Sequence, residues 1–270
     1  MKIKLYRSST IGLLFDNFKI LQDPWLTDGE YFGSWSHYPH FDLDKNIAEI
    51  NSYDAIYVSH IHLDHCSDKT LKQINKNIPI YIHSYHAKFL KNKLERFGFK
   101  VIELLNGKKY EISNSINLRI FASDNCRPEL CYKFFGCANL SETKGSQQID
   151  TIAVFDNSEN VLINVNDAPY ELAKSTFEDI KKFYKKIDIL LCGYQVAGAY
   201  PQCFDNLNDI EKIQEGKRIG QIAMSKALGY INDLKPKFFL PFAGTYALSG
   251  KLSKLDKLRG APTIDDAYKY

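Results

Sequence analysis

Six residues constrain this chain more than any others: His60-Ile61-His62-Leu63-Asp64-His65. They follow Ala55-Ile56-Tyr57-Val58-Ser59, an apolar run that reads as a buried strand. Ser67-Asp68 then opens a helical pattern with an N-cap signal. Four side chains able to ligate a metal therefore crowd one strand-to-helix turn. In extended backbone, residues two apart point the same way, so His60 and His62 face one spot. The turn brings Asp64 and His65 toward it. Imidazole suits zinc or iron, and a carboxylate adds the charge that holds a second ion. A lone histidine is more often a core or surface group, but this spacing at such a turn points to a metal site.

The motif resembles the metal signature of the metallo-β-lactamase superfamily. Asp23-Pro24-Trp25-Leu26 and Pro241-Phe242-Ala243-Gly244 carry a closer similarity, to the ascorbate-6-phosphate lactonase-like branch and to the non-Rieske part of CMP-N-acetylneuraminic acid hydroxylase. The resemblance implies an α/β fold, a four-layer αββα sandwich with one or two divalent ions at the sheet edge. It spans most of the chain but is specific only at the histidine motif.

Bulk properties agree with a globular chain. Of 270 residues, 44% are hydrophobic and 25% charged, and no low-complexity tract, linker or internal repeat divides them, so residues 1–270 are expected to form one domain. A net charge of +3 is too small to argue for nucleic acid or a membrane surface. No apolar run reaches the ~18 residues of a membrane helix. Met1-Lys2-Ile3-Lys4-Leu5-Tyr6 alternates like a strand and lacks a signal peptide's apolar core, so the expected location is cytoplasmic. The six cysteines form no Cys-x-x-Cys pair and read as reduced thiols, with three of them, Cys126, Cys131 and Cys137, in one loop.

Along the chain, runs at 3–6, 10–15 and 18–21, with Asp16-Asn17 as a turn, predict an antiparallel meander. A short helix is expected within 43–53. After the motif come a helix near 67–77, strand 78–82, a helix near 86–97 and a strand near 100–105, an alternation that implies parallel pairs. His83 and His86 read as a cap region, with His86 in reach of the cleft. Strands follow at 110–112, 116–121, 151–155 and 161–163, then a helix from Pro169 to about 186, strand 187–191, a long helix over 208–233, strand 238–240 and a largely helical end broken at Gly260-Ala261-Pro262.

Two irregular stretches are candidates for the substrate mouth. Residues 25–42 hold Trp25, Tyr31, Phe32, Trp35, His37, Tyr38, His40 and Phe41. They suit either an aromatic lid with Trp35, His37 and His40 on the substrate, or a loop folded over the core by its own rings. The stretch Gln195–Pro201, with Tyr200 in it and Tyr194 just before it at the strand end, is rich in small residues that allow close approach to a ligand.

The resemblance also implies ligands beyond the first motif: a histidine after a middle strand, a bridging aspartate, and a histidine after a late strand. Asp167 stands where the bridging aspartate belongs, although an aspartate there also suits a helix cap. Asp23 suits either a buttress behind the histidines or a turn before proline. Both further histidines are missing, because all seven histidines lie at or before residue 86. Asp64, His65 and Asp167 would hold one metal; His60 and His62 would hold another and need a third ligand. Asp124, at the end of the 118–123 run, is proposed for it, with Cys126 in reserve and a plain turn aspartate as the alternative. Two histidines and a carboxylate would move preference from zinc toward iron or manganese.

Three functions remain open at this stage. The first is a metal-dependent hydrolase, with Asp64 and Asp167 positioning water against an ester, lactone, amide or phosphoester of a small molecule, a sugar or nucleotide sugar included. The second is a non-haem iron oxidase or hydroxylase, or the partner of one. No Rieske signature is present, so its electrons would come from another protein. The third is a metal-poor binding protein.

Overall fold

The computed structural model describes residues 1–85, 87–114, 116–123 and 150–270. Asp124, Cys126, Cys131, Cys137 and His86 lie outside the described residues. The predicted meander forms as β1 (Lys2–Arg7), β2 (Thr10–Phe15) and β3 (Phe18–Gln22), paired antiparallel. β5 (Ala55–Tyr57), β6 (Ile80–His83) and β7 (Val101–Leu104) add to it in parallel, completing a six-stranded sheet of order β1-β2-β3-β5-β6-β7. Parallel neighbours need crossovers. These are the helices Leu43–Ile50, Asp68–Gln73 and Phe89–Arg96. Asp42 and Ser67 cap the first two, accepting from the backbone N–H of Lys45 and Thr70.

The second sheet runs β13-β12-β11-β10-β9-β8. β8 (Tyr110–Ser113), β9 (Ile116–Ala122), β10 (Thr151–Asp156) and β11 (Val161–Asn164) are antiparallel; β12 (Ile189–Cys192) and β13 (Phe238–Pro241) continue in parallel. The helices Tyr170–Phe183 and Asp209–Leu234 make the two crossovers, the second starting at a capping box of Asn208 and Glu211.

Three apolar layers hold these elements. Between the sheets, Ile11, Leu13, Ile20 and Tyr57 pack against Leu118, Ile120, Phe155 and Leu191. Behind the first sheet, Leu21, Ile56 and Ile80 meet Ile50, Leu71 and Leu94. Behind the second, Ile163, Val165 and Leu190 meet Phe177, Ile180 and Tyr230. The result is αββα, as expected from the resemblance. A hydrogen bond between the Asn164 amide and Gln22 Oε1, 2.7 Å and fully buried, ties the two sheets beside the motif.

The aromatic stretch is not wholly irregular. β4 (Trp35–Ser36) pairs antiparallel with β14 (Ala247–Leu248), and Trp35 stacks on Tyr246 with 3.7 Å between ring centroids. Trp25, Tyr246 and Leu248 form a small core there. The chain end holds a 3-10 helix, Gly250–Leu258, and a short α-helix, Ile264–Lys269.

Candidate metal centre

The site lies at the carboxyl ends of the central strands, where open α/β sheets bind ligands. The histidine motif leaves β5, Asp167 follows β11, Gly193 follows β12 and Ala243 follows β13. The turn that presents Asp167 is set by Asn164, whose Oδ1 accepts from the Asn166 N–H at 3.0 Å. Asn166 takes a left-handed φ of 48°, which asparagine tolerates.

His60, His62 and Asp167 place ligand atoms within 4.8 Å of one another, and so do Asp64, His65 and Asp167. His60 Nε2 is 3.0 Å from His62 Nδ1 and 3.8 Å from Asp167 Oδ2. His65 Nε2 is 3.3 Å from the same Asp167 oxygen and 3.7 Å from Asp64 Oδ2. One carboxylate oxygen thus faces both groups. These separations are those of ligands sharing ions about 2.0–2.2 Å away.

The buried histidines are aimed from behind. His65 Nδ1–H donates to Asp23 Oδ2 at 2.9 Å. His60 Nδ1–H donates to Ser59 Oγ at 2.9 Å, and that hydroxyl donates to Asp23 at 2.8 Å. Asp23 also accepts the Ser59 backbone N–H at 2.7 Å. Both rings therefore turn Nε2 into the site, the tautomer a metal requires. Burial, then the neighbouring His65, pushes His60 well below the ordinary imidazole range, so it is a neutral donor. Burial also opposes charge on His65, but Asp167 and Asp23 outweigh it and raise that imidazole well above its usual value. Burial favours a neutral Asp167; His65, with His60 and His62, overrides it and holds the carboxyl well below the usual range. A carboxylate among three imidazoles, with two of the rings fixed by a further carboxylate, fits one or two divalent ions.

Asp64 is held at both ends. Its Oδ1 accepts the Tyr31 hydroxyl at 2.6 Å, and its carbonyl accepts Ser9 Oγ. Tyr31 arrives on a turn with positive φ at every residue from 29 to 33 except Glu30: Gly29 at 80°, Tyr31 at 49°, Phe32 at 61° and Gly33 at 86°. Left-handed backbone at two side-chain-bearing residues costs of order 1–3 kcal/mol each and marks a constrained site. The sequence singled out the aromatic stretch but not Tyr31 within it.

A cleft of about 400 Å³ opens beside Asp64 and Asp167, lined by Tyr170, Gln195, Val196, Ala197, Lys226, Ala243 and Gly244 among others. Ala243 and Gly244, in the stretch after β13 where the resemblance implied a late histidine, border this side of the cleft. The loop Gln195–Ala197 borders the cleft as expected. Other substrate candidates lie elsewhere. Trp35 is spent on Tyr246. His37 is buried with its ring 4.2 Å from Trp25, and burial lowers its pKa to about 4. His40 is exposed and pairs with Asp28 at 2.6 Å. Tyr194 falls two residues after Cys192, on the helix side of the sheet, where it lines a separate small cavity with Met224, Ala227 and Ile231. Tyr200 bonds Glu215 at 2.8 Å beside a separate small cavity near Arg259 and Pro262. None of these five lines the cleft.

Comparison with known proteins accords with this geometry. No family model matches the chain. It is 25% identical over 227 residues, 83% of its length, to a Mycobacterium tuberculosis protein named as a Rieske 2Fe-2S iron-sulfur protein, covering 40% of that protein. It is 23% identical over 257 residues to the cytidine monophosphate-N-acetylneuraminic acid hydroxylase of Asterias rubens, covering 91% of this chain and 35% of the hydroxylase. The chain thus spans about two fifths of the length of these curated relatives. Among solved structures, an isothiocyanate hydrolase from Delia radicum gut bacteria superposes with a TM-score of 0.61 at 16% identity, over 91% of this chain and 86% of that one. CmlA, a diiron β-hydroxylase from Streptomyces venezuelae, superposes with a TM-score of 0.55 at 14% identity, over 97% of this chain and 46% of that one. With two face-to-face sheets, helices outside both and the histidine motif at their shared edge, this chain has the metallo-β-lactamase fold.

Proposed function

We propose that this chain is a metal-dependent hydrolase that opens an ester, lactone, amide or phosphoester bond of a small molecule. The observation that carries this reading is the double cluster, His60, His62 and Asp167 against Asp64, His65 and Asp167, sharing one oxygen at the floor of an open cleft. When bound, a divalent ion at each cluster supplies Lewis acidity and lowers the pKa of water to about 7. The protein's own part is positioning. Asp23 and Ser59 fix the two buried imidazoles, and Tyr31 fixes Asp64 Oδ1 so that Oδ2 faces His65. Asp167, ionised, faces both clusters with Oδ2 and would hold the ions there, and its other oxygen orients the attacking water. The open side at Ala243 and Gly244 admits the substrate, and Lys226, ion-paired with Glu171 at 3.1 Å, stands at its rim. A sugar or nucleotide-sugar substrate agrees with the names of the hydroxylase relatives.

A second reading, iron-dependent oxidation, is favoured by the donor set. Two aspartates serve only three histidines, and such hard donors suit iron or manganese as well as zinc. The names of the Rieske, hydroxylase and diiron relatives point the same way, and electrons would arrive from a redox partner. The two readings separate in one experiment. Protein purified without chelator is analysed for metals, reconstituted with zinc, manganese or anaerobic iron(II), and assayed on lactones, esters and phosphoesters with dissolved oxygen recorded. Hydrolysis without oxygen uptake supports the first reading. Oxygen uptake that depends on substrate and reductant replaces it with the second. Absence of any bound metal after every loading overturns both.

A further inference from the structure

Among the described residues, the first cluster is His60, His62 and the shared Asp167, with no ligand atom yet in the place of the missing middle-strand histidine. Asp124 was expected to fill the place and lies outside the described residues. A different carboxylate reaches the same sheet edge from the neighbouring strand. Asp150 directly precedes β10, and Thr151 pairs with Ala122 at the end of β9. The Ser123 N–H donates to the Asp150 carbonyl at 3.1 Å. Antiparallel pairing thus sets residue 150 beside residue 123, at the strand end from which the sequence called for a ligand.

Its side chain is buried, 10% exposed, and Asp150 Oδ1 is 3.6 Å from His60 Nε2, the nitrogen turned into the site. That separation lies between the 3.0 Å to His62 and the 3.8 Å to Asp167 measured from the same nitrogen. Ligands of one ion at bonds of about 2.0–2.2 Å sit roughly 3–3.6 Å apart. The backbone around it is fixed to the motif. Tyr57 Oη donates to Thr151 Oγ1 at 2.7 Å, and that hydroxyl donates to the Ser59 carbonyl at 2.8 Å. Tyr85 Oη holds the Asp150 carbonyl at 2.8 Å. The start of β10 therefore cannot slide relative to His60 without breaking buried hydrogen bonds. Asp150 is not among the donor atoms already within 4.8 Å of one another. Rotation about its two side-chain torsions moves an oxygen through the remaining distance.

We propose that Asp150 is a protein ligand of the first metal, with His60, His62 and the shared Asp167, in place of a histidine. This rests on the metal-centre reading above. The site then holds two imidazoles and two carboxylates, a set that favours manganese(II) or iron(II) relative to a three-histidine zinc site.

The test uses the full chain, stripped of metal and then titrated with manganese and zinc, with bound equivalents counted by elemental analysis and affinities by calorimetry. Wild type is expected to bind two equivalents. Asp150→Asn is expected to keep the metal-free melting temperature within a few degrees and to lose one equivalent, or to bind it at least tenfold more weakly, with the other unchanged. Asp150→His, which restores a nitrogen donor, is expected to bind two and to raise zinc preference over manganese at least tenfold. It decides the matter should Asp150→Asn fail to fold. Two equivalents at wild-type affinity in Asp150→Asn, or an unaltered zinc-to-manganese preference in Asp150→His, overturns the proposal alone. A wild type that binds no metal overturns the metal-centre reading beneath it.

Discussion

Asp23 Oδ2 lies 2.9 Å from His65 Nδ1, with both side chains cut off from solvent and 42 residues apart in the chain. Through Ser59 Oγ the same carboxylate also sets His60. Asp23 holds this place from a left-handed backbone, φ 46°, between β3 and the aromatic stretch. It therefore fixes the ring planes of the two buried histidines at once.

Replacing Asp23 with Asn keeps the shape and removes the charge. Partners in this position typically contribute 10–100-fold in metal affinity. Chelator competition on the Asp23→Asn variant is expected to show a loss in that range at both sites, since both buried rings depend on it. Affinity within threefold of wild type would refute the orienting role.

Tyr31→Phe removes one hydroxyl from Asp64. A hydrogen bond to a charged acceptor contributes about 1.5–3 kcal/mol. Freed from Tyr31, Asp64 swings between rotamers, and the metal shared with His65 is expected to bind at least about tenfold more weakly. The metal at His60 and His62 is expected to keep its affinity. Calorimetry with two resolved binding steps checks this, and an equal loss in both steps counts against it.

Acid sensitivity follows from two histidines outside the metal clusters. Burial pushes His37 and His83 down to about 4 from an ordinary 6.5. Between those values the unfolded chain takes up protons that the native protein refuses, so stability falls as pH drops from 6.5 to 4 and is regained as pH rises. Each accounts for up to about 3 kcal/mol over that window. In metal-free protein, urea unfolding at pH 7 and pH 4.5 is expected to lose less stability in a His37→Phe, His83→Phe double variant than in wild type. A loss as steep as wild type would place the acid sensitivity in other groups.

Gly216 faces the segment after the 3-10 helix, and a methyl group there would overlap the Arg259 carbonyl oxygen. Alanine in a helix ordinarily gains up to about 1 kcal/mol over glycine. Here overpacking against backbone outweighs that gain, and Gly216→Ala is expected to destabilise by about 1–3 kcal/mol. Thermal unfolding checks the sign: a raised melting temperature would mean that the segment is free to move away.

Much of the fold was legible in the chain itself. Alternation marked β1, apolar runs marked the other strands, and Ser67 announced a helix, because these signals depend on neighbours a few residues away. The histidine motif was legible for the same reason, since strand periodicity alone directs His60 and His62 to one side. Asp167 was placed by its position after β11 through the family resemblance. What the sequence could not order was the company these residues keep. Trp35, His37, His40 and Tyr31 look alike as members of one aromatic stretch. The left-handed turn at 29–33 and the pairing of β4 with β14 send Tyr31 to Asp64 and the others into packing or to the surface. Tyr194 was lost to the helix side by strand alternation, and Tyr200 to Glu215. Asp150 joins His60 across 90 residues only because β9 and β10 pair in one register and both sheets end at the same edge. Short-range periodicity is written in the order of residues, whereas proximity across sheets is decided by which strands become neighbours, and that is settled only when the whole core packs.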